Sequence, residues 1–195
     1  MSMLKNTIIT ACVALGLAAT GTSAAFAQEG GTLEKIKQSG EIVIGHRESS
    51  VPFSYLDDAQ KPVGYSIDLC MKIVDAVSKE LGQDISVKYV PVNPKTRIAL
   101  MANGTIDLEC GSTTNNLTRQ EQVEYLPTTF VTGTKLLVRK DSGIQSVADL
   151  DGKTVALAQG TTNERAIKAA VEKAGMDVKV LPVRDLAEGM LSLET

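Results

Sequence analysis

The spacing of apolar positions changes several times along the chain, and each change marks an element. Glu41-Ile42-Val43-Ile44-Gly45 is a short apolar run ending in glycine, which predicts a buried strand. Ile67, Cys70, Met71, Val74, Val77 and Leu81 then recur every three or four positions, as on one face of a helix, and Gly82 supplies the stop. Residues 85–92 return to alternation with β-branched side chains and predict a second strand. Pro94 opens a short helix in which Ile98, Leu100 and Met101 can pack and which Asn103-Gly104 ends. Residues 106–110 predict a third strand.

Residues 132–139 read as extended, Ser142-Gly143 punctuates them, and the strand-helix pattern begins again. A short helix is expected at 146–150, a strand at 153–158 and a polar turn at 159–163. Ala166, Ile167, Ala170, Val171 and Ala174 then fall on one helical stripe that Gly175 caps. A strand at 177–183 and a last helical stretch after Arg184-Asp185 complete the pattern. Strands alternating with helices predict an α/β fold with a mostly parallel sheet. The restart predicts two lobes, residues 28–134 and 135–195, joined by a hinge near 134–139. The amphipathic pattern still runs at Leu193-Glu194-Thr195 with no terminator, and the second lobe has only two clear strands, so an incomplete second lobe is expected.

The first 27 residues stand apart from this pattern. Lys5, the apolar stretch 8–19 and Ala25-Phe26-Ala27 have the layout of a secretory signal peptide with its cleavage site. Its apolar core is too short to span a membrane. The whole chain has 195 residues, 43% hydrophobic and 22% charged, an ordinary soluble composition. Its net charge is −3, and removing the leader takes away Lys5 and no acidic residue. Nothing basic enough for nucleic acid remains. Export leaves Cys70 and Cys110 in an oxidising compartment, where they are either a disulfide or two buried thiols. Two cysteines and one histidine, His46, none at ligand spacing, argue against a metal site.

The candidate chemistry lies where strands end. Arg47 follows the first strand, Arg97 lies in the first turn after the second, and Arg119 follows Glu109-Cys110-Gly111-Ser112-Thr113-Thr114-Asn115-Asn116 after the third. In parallel sheets ligands bind outside the carboxyl ends of the strands, where residues distant in sequence meet. Guanidinium forks, the hydroxyls of Ser112 and Thr114 and free backbone N–H groups suit a carboxylate. The second polar turn, Gly160-Thr161-Thr162, repeats that chemistry and is expected to face it across a cleft. Catalysis has less support: His46, the one candidate base, is followed by Arg47, and there is no G-x-S-x-G, P-loop or G-x-G-x-x-G.

Five segments carry a resemblance: residues 45–55, Val63-Gly64-Tyr65-Ser66, residues 109–116 with Arg119, Gln159-Gly160-Thr161-Thr162, and Arg184-Asp185. On these, residues 28–195 resemble the periplasmic family 3 solute-binding proteins of ABC amino-acid importers, in particular the glutamate/aspartate-binding branch. The resemblance implies a two-lobed periplasmic binding protein fold of the second class that closes on its ligand. It implies that Arg119 takes the α-carboxylate, helped by Ser112, Thr114, Thr161 and Thr162, while Arg47 and Arg97 take the side-chain carboxylate. It further implies a monomeric, non-enzymatic periplasmic protein that needs no cofactor and delivers an acidic amino acid to an inner-membrane permease. A polar neutral ligand such as glutamine, or a dehydratase-like enzyme on the same fold, are the alternatives.

Overall fold

The computed structural model describes residues 31–195, so the leader expected at 1–27 lies outside the described residues. The chain runs α1 (Gly31–Ser39), β1 (Glu41–His46), β2 (Ser49–Ser50), β3 (Ser54–Leu56), β4 (Pro62–Val63), α2 (Tyr65–Leu81), β5 (Ser86–Pro91), α3 (Arg97–Ala102), β6 (Leu108–Cys110) and α4 (Leu117–Gln120). After a long stretch without regular structure come a 3₁₀ turn (Val147–Leu150), β7 (Thr154–Ala158), α5 (Thr162–Ala174), β8 (Lys179–Val183) and α6 (Leu186–Glu194).

The first unit is built on β1. Its apolar run is flanked on both sides by parallel partners, in the order β5-β1-β6. Ile42 and Ile44, 3% and 0% exposed, point into a cluster with Ile67, Cys70 and Val74 of the predicted helical stripe and with Ile36 of α1. Burial of each such side chain stabilises by about 1.5–3 kcal/mol. The register sets His46 opposite Pro91 on one side and Cys110 on the other, so the three strands end level. The loops carrying the three arginines therefore leave the sheet along one edge.

Glycine is required at two points of this frame. A Cβ on Gly45 would lie 2.5 Å from Ile106 Cδ1, so its absence lets Ile106 pack over β1. Gly64 has φ +121, and a Cβ there would meet the Phe53 carbonyl at 2.6 Å. That closeness lets the carbonyls of Pro52 and Phe53 accept the N–H groups of Tyr65 (3.0 Å) and Ser66 (2.8 Å), which starts α2 without a side-chain cap. Gly82, left-handed, ends α2 as expected. Cys70 of α2 and Cys110 at the end of β6 are joined by a disulfide, with Cα atoms 6.2 Å apart.

The second unit repeats the plan with less material. β7 and β8 pair in parallel, and Leu150, Val155, Leu157 and Ile167 form its buried cluster. Thr161 caps α5, accepting from the Glu164 N–H, and Gly175 closes it.

Several details differ from the sequence reading. α1 was not anticipated; Ile36 is its single buried residue, too little for a periodic signal. The polar stretch after His46 contains the β2-β3-β4 antiparallel meander, whose two- and three-residue strands are set by packing rather than alternation. β6 is shorter than 106–110, and residues 132–139 form no strand, having no partner backbone beside them among the described residues.

Candidate functional site

Arg47 follows β1 directly and is 2% exposed. Its backbone N–H donates to Ser54 Oγ at 2.9 Å, which fixes the chain as it leaves the strand. Its guanidinium turns to the second unit, where Nη2 donates to Asp185 Oδ1 at 2.5 Å and Nε to Oδ2 at 3.4 Å. Asp185 is the N-cap of α6, and Oδ1 also accepts from the Leu186 N–H (2.6 Å) and Ser49 Oγ (2.8 Å). Burial pushes the Asp185 carboxyl upward, but hydrogen bonds from Arg47, Leu186 and Ser49 outweigh it and hold the group below its ordinary value.

Arg97, the first residue of α3, is 3% exposed, and its Nε and Nη1 are buried without a partner among the described residues. Burial lowers its pKa to about 10; Glu109 acts in the opposite sense, and the neighbouring charges of Arg47 and Arg119 lower it further. At neutral pH Arg97 is still a cation. Glu109 Oε1 and Thr113 Oγ1 are likewise buried and unpartnered. A Cβ on Gly111 would press on the Glu109 carboxylate and lie 3.0 Å from Arg47 Cγ, so a larger residue there would displace the Glu109 side chain.

Arg119, 6% exposed, sits in α4, whose start is capped by the Asn116 side chain accepting from the Arg119 N–H at 3.0 Å. Nη1 donates to the Thr114 carbonyl at 2.7 Å and Nη2 to the Gly160 carbonyl at 3.0 Å, so this guanidinium also spans both units. Thr114 and Thr162 meet hydroxyl to hydroxyl at 3.3 Å, and Ser112 pairs with Ser50 at 2.9 Å. Gly160 has φ +77, and a Cβ there would come 2.9 Å from the Pro94 carbonyl across the cleft.

Arg47, Arg119, Thr114 and Thr162 thus meet the opposite unit at the seam, Arg97 lies near enough to Arg47 and Arg119 to feel their charges, and Ser112 is paired within the first unit. Thr161 is adjacent, but its hydroxyl is committed locally, donating to the Ala158 carbonyl at 2.8 Å and accepting the α5 cap. His46 lies behind the site as a buried ring, Nδ1 3.1 Å from the Arg47 carbonyl and edge-on to Tyr89. Sequence reasoning missed Glu109, Thr113 and the pairing of Asp185. Glu109 carried no local signal of its own, since Asp107 and Glu109 alternate with Ile106, Leu108 and Cys110 like the two faces of an ordinary strand. A cavity of about 460 Å³ beside β6 also reaches Arg97, Glu109 and Thr113. No residue of the second unit lines it, so it neighbours the cleft rather than forming it.

Chemically the cleft is a cationic, hydrogen-bonding surface made by both units, fitted to carboxylates. Among the described residues no cluster of His, Cys, Asp and Glu could hold a metal, and no helix is long and apolar enough to cross a membrane.

Residues 42–183 match the model of the bacterial extracellular solute-binding proteins, family 3. The chain is 47% identical over 167 residues to the glutamate/aspartate import solute-binding protein of Salmonella typhimurium, covering 85% of this chain and 55% of that one. The L-glutamate/L-aspartate-binding protein of Pseudomonas aeruginosa matches with the same identity and coverage. The chain therefore spans a little over half the length of these relatives. The crystal structure of an ancestral amino acid-binding protein, a precursor of cyclohexadienyl dehydratase, superposes with a TM-score of 0.71 at 28% identity, covering 83% of this chain and 69% of that one. With a two-unit α/β fold and a family match over most of its length, this chain belongs to the bacterial extracellular solute-binding proteins of family 3.

Proposed function

We propose that this protein is the periplasmic substrate-binding component of an ABC importer, taking glutamate or aspartate between its two units and handing it to an inner-membrane permease. It works as a monomer and performs no chemistry on the ligand. The observation that carries this reading is the convergence of three nearly buried arginines, Arg47, Arg97 and Arg119, on one cleft. Arg119, held among the hydroxyls of Ser112, Thr114 and Thr162, takes the carboxylate common to all amino acids. Arg97, with two unpartnered nitrogens, takes the second carboxylate together with Arg47. Each charge-assisted hydrogen bond contributes about 1.5–3 kcal/mol. Micromolar affinity needs about 8 kcal/mol, within reach of contacts to three guanidiniums. The likeness to binding proteins named for glutamate and aspartate supports the same assignment.

Titration calorimetry with glutamate, aspartate and glutamine tests it. Arg119→Ala is expected to lose all three ligands, whereas Arg97→Ala loses the acidic pair and spares glutamine. Equal affinity of the unaltered chain for glutamate and glutamine would remove the acidic assignment. A second reading, a polar neutral amino acid, is favoured by one observation: Arg47 already holds a carboxylate, that of Asp185.

A further inference from the structure

The ion pair just described is the one salt bridge between the two units among the described residues. It joins positions 138 apart in sequence. It also sits on a guanidinium assigned to the ligand. We infer that Asp185 is a built-in counter-ion of the cleft: it neutralises Arg47 from the opposite unit, holding the units together without ligand and tempering the pull on a ligand's second carboxylate. The second half of this inference rests on the acidic-ligand reading; the first does not.

Geometry supports both halves. Asp185 is held by its own unit through the Leu186 N–H and by the first unit through Arg47 and Ser49, and Ser49 Oγ in turn accepts from the Ala187 N–H at 3.3 Å. With the units together, the carboxylate is therefore held from both sides of the seam. It engages the Nε and Nη2 side of Arg47, and Nη1 donates to none of the described residues. A ligand carboxylate approaching Nη1 would meet a guanidinium whose charge is already balanced. The like charge of Asp185 would stand a few ångströms away, where effective screening inside a protein is incomplete. The guanidiniums of Arg47 and Arg119 are near enough to Arg97 to lower its pKa, Glu109 acts on Arg97 in the opposite sense, and Asp185 lies on Arg47. Removing one carboxylate makes the cleft one unit more positive.

Asp185→Asn in the full chain isolates the charge. Asparagine caps a helix about as well as aspartate, and its side-chain oxygen can still accept from Ser49, so α6 and the fold are retained. Two measurements follow. With spin labels at Lys61→Cys and Lys173→Cys, one on each unit, the ligand-free Asp185→Asn chain is expected to show longer and broader inter-label distances. In calorimetry its affinity ratio for glutamate over glutamine is expected to rise by about tenfold, the order for one unit charge at this range. In an Arg47→Gln background the same substitution should leave the distances unmoved. Unchanged ligand-free distances in the single variant, or a ratio that stays or falls, would overturn the counter-ion role. If the unaltered chain shows no preference for glutamate, the acidic-ligand reading fails instead, and the counter-ion is judged on the distances alone.

Discussion

The two units face each other with nearly the same local chemistry and very different support. Gly111-Ser112-Thr113-Thr114 in the first and Gly160-Thr161-Thr162 in the second are both glycine-led polar turns leaving a parallel strand. The first follows the disulfide-bonded Cys110 on a three-stranded sheet whose cluster has seven buried residues. The second follows a two-stranded sheet with a cluster of four. The contrast that bears on the cleft is one of charge: the first unit supplies the guanidiniums, and the second supplies oxygen atoms that meet them. All three arginines belong to the first unit. Asp185, Thr162 and the Gly160 carbonyl, which meet Arg47, Thr114 and Arg119, belong to the second.

Three sets of substitutions and one change of pH test how separately the two units are held, beginning with the disulfide. Replacing Cys70 and Cys110 together by serine removes a crosslink spanning 40 residues. Loop-closure entropy puts its contribution at about 3–4 kcal/mol. Chemical denaturation should show that loss in the first unit's transition. A fall of comparable size in the second unit, followed by hydrogen exchange of β7, would show that the two are not separately supported. Next, Gly160→Ala forces a left-handed alanine, at about 1–2 kcal/mol, and drives its Cβ against the Pro94 carbonyl. Spin-label distances should lengthen, and a chain that closes as before would mean the turn is less tightly seated than drawn.

The third effect is smaller. Thr161→Ala removes the α5 cap at a cost of about 1 kcal/mol, read in the second unit alone; an equal shift in the first would contradict separate support. The last is a matter of acidity. The folded pKa of Asp185 lies below its ordinary value of 3.8. Its stabilising contact is therefore complete above that value and is lost only as pH falls through the lower folded one. Inter-label distances should hold steady on acidification to the ordinary carboxylate value and lengthen below it. Lengthening already near pH 6 would assign closure to another group.

Much of the first unit was legible in the sequence because its elements carry strong periodicity. β1 and α2 bury Ile42, Ile44, Ile67, Cys70 and Val74, and their spacing alone reveals them. The positions of Arg47, Arg97 and Arg119 past strand ends followed from the same pattern, since parallel strands bring their carboxyl ends to one edge. What stayed hidden depends on partners rather than on spacing. α1 has one buried residue, and the β2-β3-β4 meander is too short to alternate. Residues 132–139 have strand-like composition but no strand beside them among the described residues. Asp185 looked like one half of a short motif; nothing local to it says that its carboxylate meets Arg47, because that contact exists only once both units are folded. Glu109 stayed hidden for the same reason: with Asp107 it alternates with Ile106, Leu108 and Cys110 as in any half-buried strand, and nothing local makes it the neighbour of Arg97.

The start of α6 has one more consequence. A helix N-terminus carries roughly half a positive charge, and in α6 the anion resting on it is the helix's own Asp185, bonded to the Leu186 amide. Asp185 therefore has two positive partners when the units are together and keeps one when they part. Arg47 gives up its only salt-bridge partner among the described residues. Opening is thus an asymmetric exchange, leaving the aspartate settled on its helix dipole and the arginine in need of an anion.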